Sequence, residues 1–306
     1  MNKQLNRPKG FGEILDTTFR LAKSHFSNFF MILLILVGPV YLLQALINLA
    51  SGTNFLRQVG SGGGNWFEQV TTSFADDPAA STSLAAEFGT MVLGFFSIIL
   101  LAIAQVSILY AVNDIKKGET FTVKGVIKKA FSRFWPIVGS SIVVMLMVFG
   151  MVVIPIIMIT IAAVTGSFLH AAVGFIIAIP LLIGLVITIG LLFTRWSFFL
   201  ASVAFDGAAP GLGKSWSLTH KRTWFLFGLY LVLAIIIGII SVAVEVPVML
   251  VLGNSVLYTI ILNIVSLFTS MIFAVGYAVM YFDVKVRNDA GDLKEMMADY
   301  QDQNKG

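Results

Sequence analysis

Cysteine is absent from this chain, charged residues make up only 12% of it, and histidine occurs three times in 306 residues. Without cysteine there are no disulfides, thiolate metal sites, cysteine nucleophiles or S-acyl anchors. His25, His170 and His220 fall in different segments, and no HExxH-like pair sets two ligands on one helix face. They read as interfacial residues, and no cofactor is expected. The scarcity of charge says most. A soluble domain is about one-quarter charged. At 58% hydrophobic residues and a mean hydropathy of +0.91, this chain has more apolar surface than a globule can hide.

What is present is six long apolar stretches: Phe29 to Ala50, Phe88 to Val112, Pro136 to Ala163, Ala171 to Thr194, Phe225 to Leu252 and Leu257 to Phe282. At about 1.5 Å per residue each crosses roughly 30 Å of hydrocarbon. The expected fold is therefore all-α, a polytopic membrane protein with six transmembrane helices. No short apolar run with a small-residue cleavage site precedes the first stretch, so that span is expected to be retained.

Positive charge orients the spans. Nineteen of the twenty lysines and arginines precede the first span, lie between spans two and three or four and five, or follow the sixth; only Arg57 lies on the other side, in a loop with Glu68, Asp76, Asp77 and Glu87. The positive-inside rule makes the basic side cytosolic, with both termini there and the cell membrane as location. The net charge of +4 then reports orientation, and nucleic acid is not an expected partner.

The cytosolic segments have a pattern of their own. From Phe121 to Trp135, Val123, Val126, Ile127, Ala130, Phe131, Phe134 and Trp135 recur at helical spacing, with Lys124, Lys128, Lys129 and Arg133 opposite. That pattern suits a basic helix in the membrane plane, its stripe at the acyl boundary and its cations at anionic headgroups. Phe11, Ile14, Leu15, Phe19, Ala22 and Phe26 form a similar stripe before the first span. A weaker copy before the fifth has Leu212 and Trp216 on one face and Lys214, Lys221 and Arg222 elsewhere. The even-numbered spans each end in an aspartate (Asp114, Asp206, Asp283), followed by Gly118, Gly207 and Gly291. These features predict one membrane domain over 1-306, built as three repeats of interfacial amphipathic helix plus helical hairpin at about 10-114, 121-206 and 208-283, with a cytosolic tail at 284-306. Chance likeness among basic-ended hairpins is the plainer alternative.

The stretch Arg195-Trp196-Ser197-Phe198, through Asp206-Gly207 to Lys214-Ser215-Trp216-Ser217-Leu218-Thr219 and Trp224-Phe225-Leu226-Phe227-Gly228, resembles a pattern in bacterial six-span proteins. These are similar to the membrane domain found beside some glycerophosphodiester phosphodiesterases, which also occurs alone. The opening Arg7-Pro8 with Phe11-Gly12-Glu13-Ile14-Leu15-Asp16 resembles the start of standalone members. The resemblance implies the fold; Arg195, Asp206, Ser215 and Trp216 from its stretch, together with Asp114 and Asp283 from the alike ends of the even-numbered spans, are marked as structural positions. Hydrolase activity does not carry over, because no soluble barrel with its metal-binding carboxylates and histidines is encoded.

Other chemical signals are weak. Gly207 to Ser215 ends in Gly-Lys-Ser like a phosphate-binding loop, but Ala208 stands where the earlier glycine is required and a membrane helix precedes the run. By helical rise, Arg195 falls near the cytosolic face and Glu245 near the outer one, which leaves no ionisable residue at mid-depth. Gln44, Gln105, Thr160, Thr188, Asn263 and Ser266, with Pro39, Pro155, Pro180 and Pro247, suit either a solute path or helix packing. Packing is the favoured reading. The sequence thus predicts a non-enzymatic scaffold or accessory subunit, in which Lys124, Lys128, Lys129, Arg133, Lys214 and Arg222 contact anionic lipids or a membrane protein partner. A permease for a small or amphipathic solute is the alternative.

Overall fold

The computed structural model describes residues 7–56, 84–167, 171–207 and 209–303. His170, Arg57 and most of the connection between the first two spans lie outside them. The described residues are almost wholly helical and contain no strand. Six helices are long and apolar enough to cross a membrane: α2 (Phe26–Ala50), α3 (Leu84–Lys117), α5 (Phe134–Ser167), α6 (Ala171–Trp196), α9 (Thr223–Leu252) and α10 (Val256–Gln303). Between them stand the shorter α1 (Phe11–Ser24), α4 (Val123–Phe131), α7 (Phe199–Asp206) and α8 (Leu212–Thr219), the last running through a 3-10 turn, His220–Arg222, into α9. Apart from α7, the order is one short helix and then two long ones, three times over.

Met91, Leu146, Phe149, Ile239 and Val251 are each 64% exposed or more. Apolar surface on that scale needs lipid around it. Pro39, Pro155, Pro180 and Pro247 all lie inside long helices that continue through them. Glycine behaves less uniformly than expected. Gly118 and Gly207 do end helices with positive φ, at 84° and 69°. Gly291 does not: α10 runs through it without a break. One glycine within a helix costs only about 1 kcal/mol.

By contact the chain divides into two compact units, one of Met1–Ile14, Ser132–Leu231 and Tyr277–Gly306, the other of Leu15–Phe131 and Val232–Gly276. In the second unit, the start of α10 is tied to the chain leaving α2, since the amides of Val256 and Leu257 donate to the carbonyls of Asn54 and Phe55 at 3.0 and 3.1 Å. Those bonds satisfy donors that a helix start leaves open. A β-carbon at Gly276 would come within 2.8 Å of Leu233 Cδ2 and 3.3 Å of Thr18 Cγ2, so a larger residue there would push the buried Leu233 side chain aside. His25 sits between α1 and α2, bonded to Ser24 Oγ at 2.9 Å, with Phe29 and Phe121 around its ring.

The first unit is centred on buried aromatics. Phe198 lies 5.5 Å from Tyr277 and 5.7 Å from Tyr281, and Phe205 stacks on Tyr281 at 5.8 Å between ring centres. Here too a glycine sets an approach, because a β-carbon at Gly190 would fall 2.6 Å from the Phe227 ring.

The amphipathic stripes do not serve lipid alone. In α1, Ile14, Leu21 and Ala22 are buried in protein, as are Thr17 and Thr18 beside them, whereas Phe11 at its start is exposed, as is Phe26, the last residue of the stripe, which falls at the start of α2. In α4, Val126 and Ala130 are buried and Phe131 is exposed. A short helix next to a bundle gains most by burying its stripe against packed side chains, where dispersion adds to apolar transfer.

Candidate functional site

The polar groups of the first unit gather at helix ends. Helix α6 stops at Trp196 and α7 starts at Phe199, which orphans the carbonyls of one and the amides of the other. Ser215, on α8, closes the gap. Its hydroxyl donates to the Arg195 carbonyl at 2.8 Å and accepts from the Phe198 amide at 3.0 Å. Thr219, one turn further on, shares its hydroxyl proton among Arg195 O, Ser215 O and Trp216 O at 3.2, 2.9 and 3.3 Å. The next free amide of α7, at Ala201, donates to the Tyr277 hydroxyl at 3.0 Å. Above the junction the Arg195 guanidinium lies 4.3 Å from the Trp216 ring centre, and Trp196 borders the same ring. Such a stack is worth about 0.5–1 kcal/mol where exposed and more where water is excluded.

At the other end of α7, Arg133 reaches the Val203 carbonyl at 3.5 Å, and a β-carbon at Gly207 would lie 3.2 Å from its guanidinium. The positive charge faces the negative end of the α7 dipole. Asp206 pairs with Lys285 at 3.8 Å, both partly exposed.

Asp283 is 1% exposed. Its carboxylate accepts from the Lys9 amide at 2.6 Å and from Arg287 Nε at 2.9 Å, while Arg287 Nη2 donates to the Lys9 carbonyl at 2.7 Å. Both backbone polar groups of Lys9, the amide on one side and the carbonyl on the other, are thereby held. Arg287 also neutralises the carboxylate, without which burying it would be prohibitive. In the second unit Asp114 takes a looser partner, Lys129 at 4.0 Å, which also lies 4.7 Å from the Tyr110 ring.

Of the residues marked as structural from sequence, Arg195, Ser215 and Trp216 meet at one junction, and Asp283, Asp206 and Asp114 each hold a basic or amide partner nearby. The six cations marked for lipid contact divide. Arg133 is committed to α7, and Arg222 sits 4.9 Å from the Phe225 ring. Lys129 turns back to Asp114, though a half-exposed pair at that distance is worth under about 1 kcal/mol. Lys124, Lys128 and Lys214 are exposed and make no hydrogen bond or ion pair among the described residues. Lys221 is in the same condition. In the first unit, which also holds Lys214 and Lys221, Trp135 is 79%, Trp224 66% and Trp216 38% exposed.

Sequence reading missed Lys9, Arg287, Thr219, Tyr277 and Asn288, whose side-chain amide donates to the Leu218 carbonyl at 3.3 Å. All five act on or through backbone groups. Only Thr219 had a cue, standing four residues after Ser215 on a helix. Glu245 is exposed near the end of α9, with the Tyr258 hydroxyl 3.5 Å away.

Comparison with protein-family models, with curated proteins and with solved structures found no match to this chain.

Proposed function

We propose that this chain is a non-enzymatic scaffold or accessory subunit of the cell membrane, both termini cytosolic, that engages anionic lipids or a membrane protein partner through its basic cytosolic helices. One observation carries the reading: Lys214 and Lys221 are exposed and make no hydrogen bond or ion pair among the described residues, in the same unit as the exposed rings of Trp135, Trp216 and Trp224. Tryptophan favours headgroup depth, and a lysine near an anionic surface contributes about 1 kcal/mol. Lys124 and Lys128 on α4 repeat the arrangement beside exposed Phe131. The threefold order of short and long helices supports a repeated architecture. Convergence of Arg195, Ser215 and Trp216 gives the proposed kinship with the phosphodiesterase-associated membrane domain a structural sense, since these residues of the shared pattern splice α6, α7 and α8 together.

The test replaces Lys124, Lys128, Lys214 and Lys221 with glutamine. Enough basic residues remain on that side to hold the orientation. Phosphatidylglycerol copurifying with the protein should fall about tenfold or more, given roughly 1 kcal/mol per lost charge. Unchanged lipid content and unchanged partner recovery would contradict the proposal.

A permease remains the second reading, and one observation favours it: Gln105, Thr269 and Ser270 border a cavity at mid-span in the second unit.

A further inference from the structure

We infer that this mid-span cavity is a binding site for an uncharged lipid alcohol of the diacylglycerol class. It has a volume of about 250 Å³ and lies among α2, α3, α9 and α10, all within the second unit. Ser270 stands about 20 Å along α10 from its start at Val256 and about 20 Å before Asp283, and Gln105 about 18 Å from the end of α3 at Lys117, so the site is close to the bilayer midplane. Three side chains give it polarity. Gln105 and Ser270 make no hydrogen bond among the described residues, whereas Thr269 spends its proton on Val265 O and Ser266 O and keeps lone pairs free. A carboxamide and a hydroxyl without partners in hydrocarbon cost several kcal/mol between them. Had packing been their only role, leucine and alanine would serve better at both positions.

The ligand's chemistry follows from the lining. Among the described residues no ionisable side chain borders the cavity, so a phosphate or ammonium would be unpaired at the depth where charge is most expensive. The remaining wall is apolar, from residues such as Leu33, Ile237 and Ala274. Phe273, at its edge, is 38% exposed. In a membrane that exposure faces acyl chains, so the ligand arrives from the bilayer. The volume suits a small head bearing one or two hydroxyls while its chains stay in lipid. Gln105 can both donate to and accept from such a hydroxyl, Ser270 likewise, and Thr269 can accept. This site depends on membrane insertion alone, not on the basic helices proposed above to meet anionic lipid.

The full-length protein, reconstituted in phosphatidylcholine nanodiscs, would be photolabelled with a diacylglycerol bearing a diazirine next to its glycerol. Label is expected on the peptides around Gln105 and Ser270. Unlabelled dioleoylglycerol should compete, whereas dioleoyl phosphatidic acid and free glycerol should not. The double variant Gln105→Leu, Ser270→Ala should lose about fivefold or more of the labelling, one hydrogen bond being worth about 1 kcal/mol. Ala274→Phe, which fills the space and leaves the polar groups intact, should abolish it, and it carries the decision if the double variant does not purify. Asn263→Leu is the control, because Asn263 lines a separate groove of about 420 Å³ with Pro39 and Ile264; labelling should not change. Equal competition by phosphatidic acid, or full labelling of both cavity variants, would overturn the site. Competition by free glycerol would overturn the bilayer as the source and point to an aqueous solute. The glutamine variant of the four exposed lysines should label normally, so failure of the headgroup proposal and failure of this one are distinguishable.

Discussion

Ser215 is fully buried and satisfies one donor and one acceptor that belong to different helices. Alanine there would leave the Phe198 amide without its partner and the Arg195 carbonyl with only a share of the Thr219 proton. A buried donor left open costs about 1–3 kcal/mol, and the neighbouring acceptor adds less because Thr219 remains. We expect Ser215→Ala to lower the thermal unfolding midpoint in mild detergent by several degrees, while Ser217→Ala, at an exposed position two residues on, leaves it unchanged. Equal midpoints for the two variants would show that Ser215 does not hold the junction. The sequence marks Ser215, Trp216 and Arg195 because they sit in a short recognisable run. Tyr277 and Lys9 escape notice for a physical reason: each acts through a backbone atom or upon one, and such a contact leaves no pattern in side-chain spacing.

At the scale of elements, the long helices are legible and the junctions are not. Apolar runs of twenty or more residues announce spans directly, and the expected boundaries of the first five fall within about five residues of those observed, whereas the sixth helix, expected to end at Phe282, continues through the expected tail to Gln303 because no helix-breaking proline stops it. Helix α7 was not expected as a separate element. Nothing between Arg195 and Ser202 is glycine or proline; the break at Ser197 and Phe198 is held open by Ser215 from elsewhere in the chain, a tertiary cause invisible to local reading. The buried side of α1 was likewise only half visible, because Thr17 and Thr18 belong to it and threonine does not register in an apolar stripe. The clasp of Asp283 and Arg287 around Lys9 makes its own prediction. Asp283→Ala removes the acceptor for the Lys9 amide and leaves the Arg287 charge to find water. Hydrogen exchange at Lys9 should rise at least tenfold, with the α8 amides unaffected. Unaltered exchange at Lys9 would mean that the carboxylate does not anchor this segment.

At the scale of the whole molecule, the account rests on the distribution of charge. Apolar side chains that a water-soluble protein would bury are exposed along the long helices, and nearly every lysine and arginine falls into connections that alternate spans place on one side. By the positive-inside rule that asymmetry supports the proposed cytosolic placement of α4 and α8, which would set the exposed tryptophans of the first unit at headgroup depth. The absence of natural cysteine allows a direct measurement. Asn254, exposed in the turn between α9 and α10, and Ser217, exposed on α8, lie on opposite sides in this account. Single cysteines would be placed at each and treated in intact cells with a membrane-impermeant maleimide. Cysteine at Asn254 should label at once, and cysteine at Ser217 only after the membrane is permeabilised. Labelling of Ser217→Cys in intact cells, with Asn254→Cys protected, would contradict the orientation and, with it, the assignment of the basic helices to the cytosolic face.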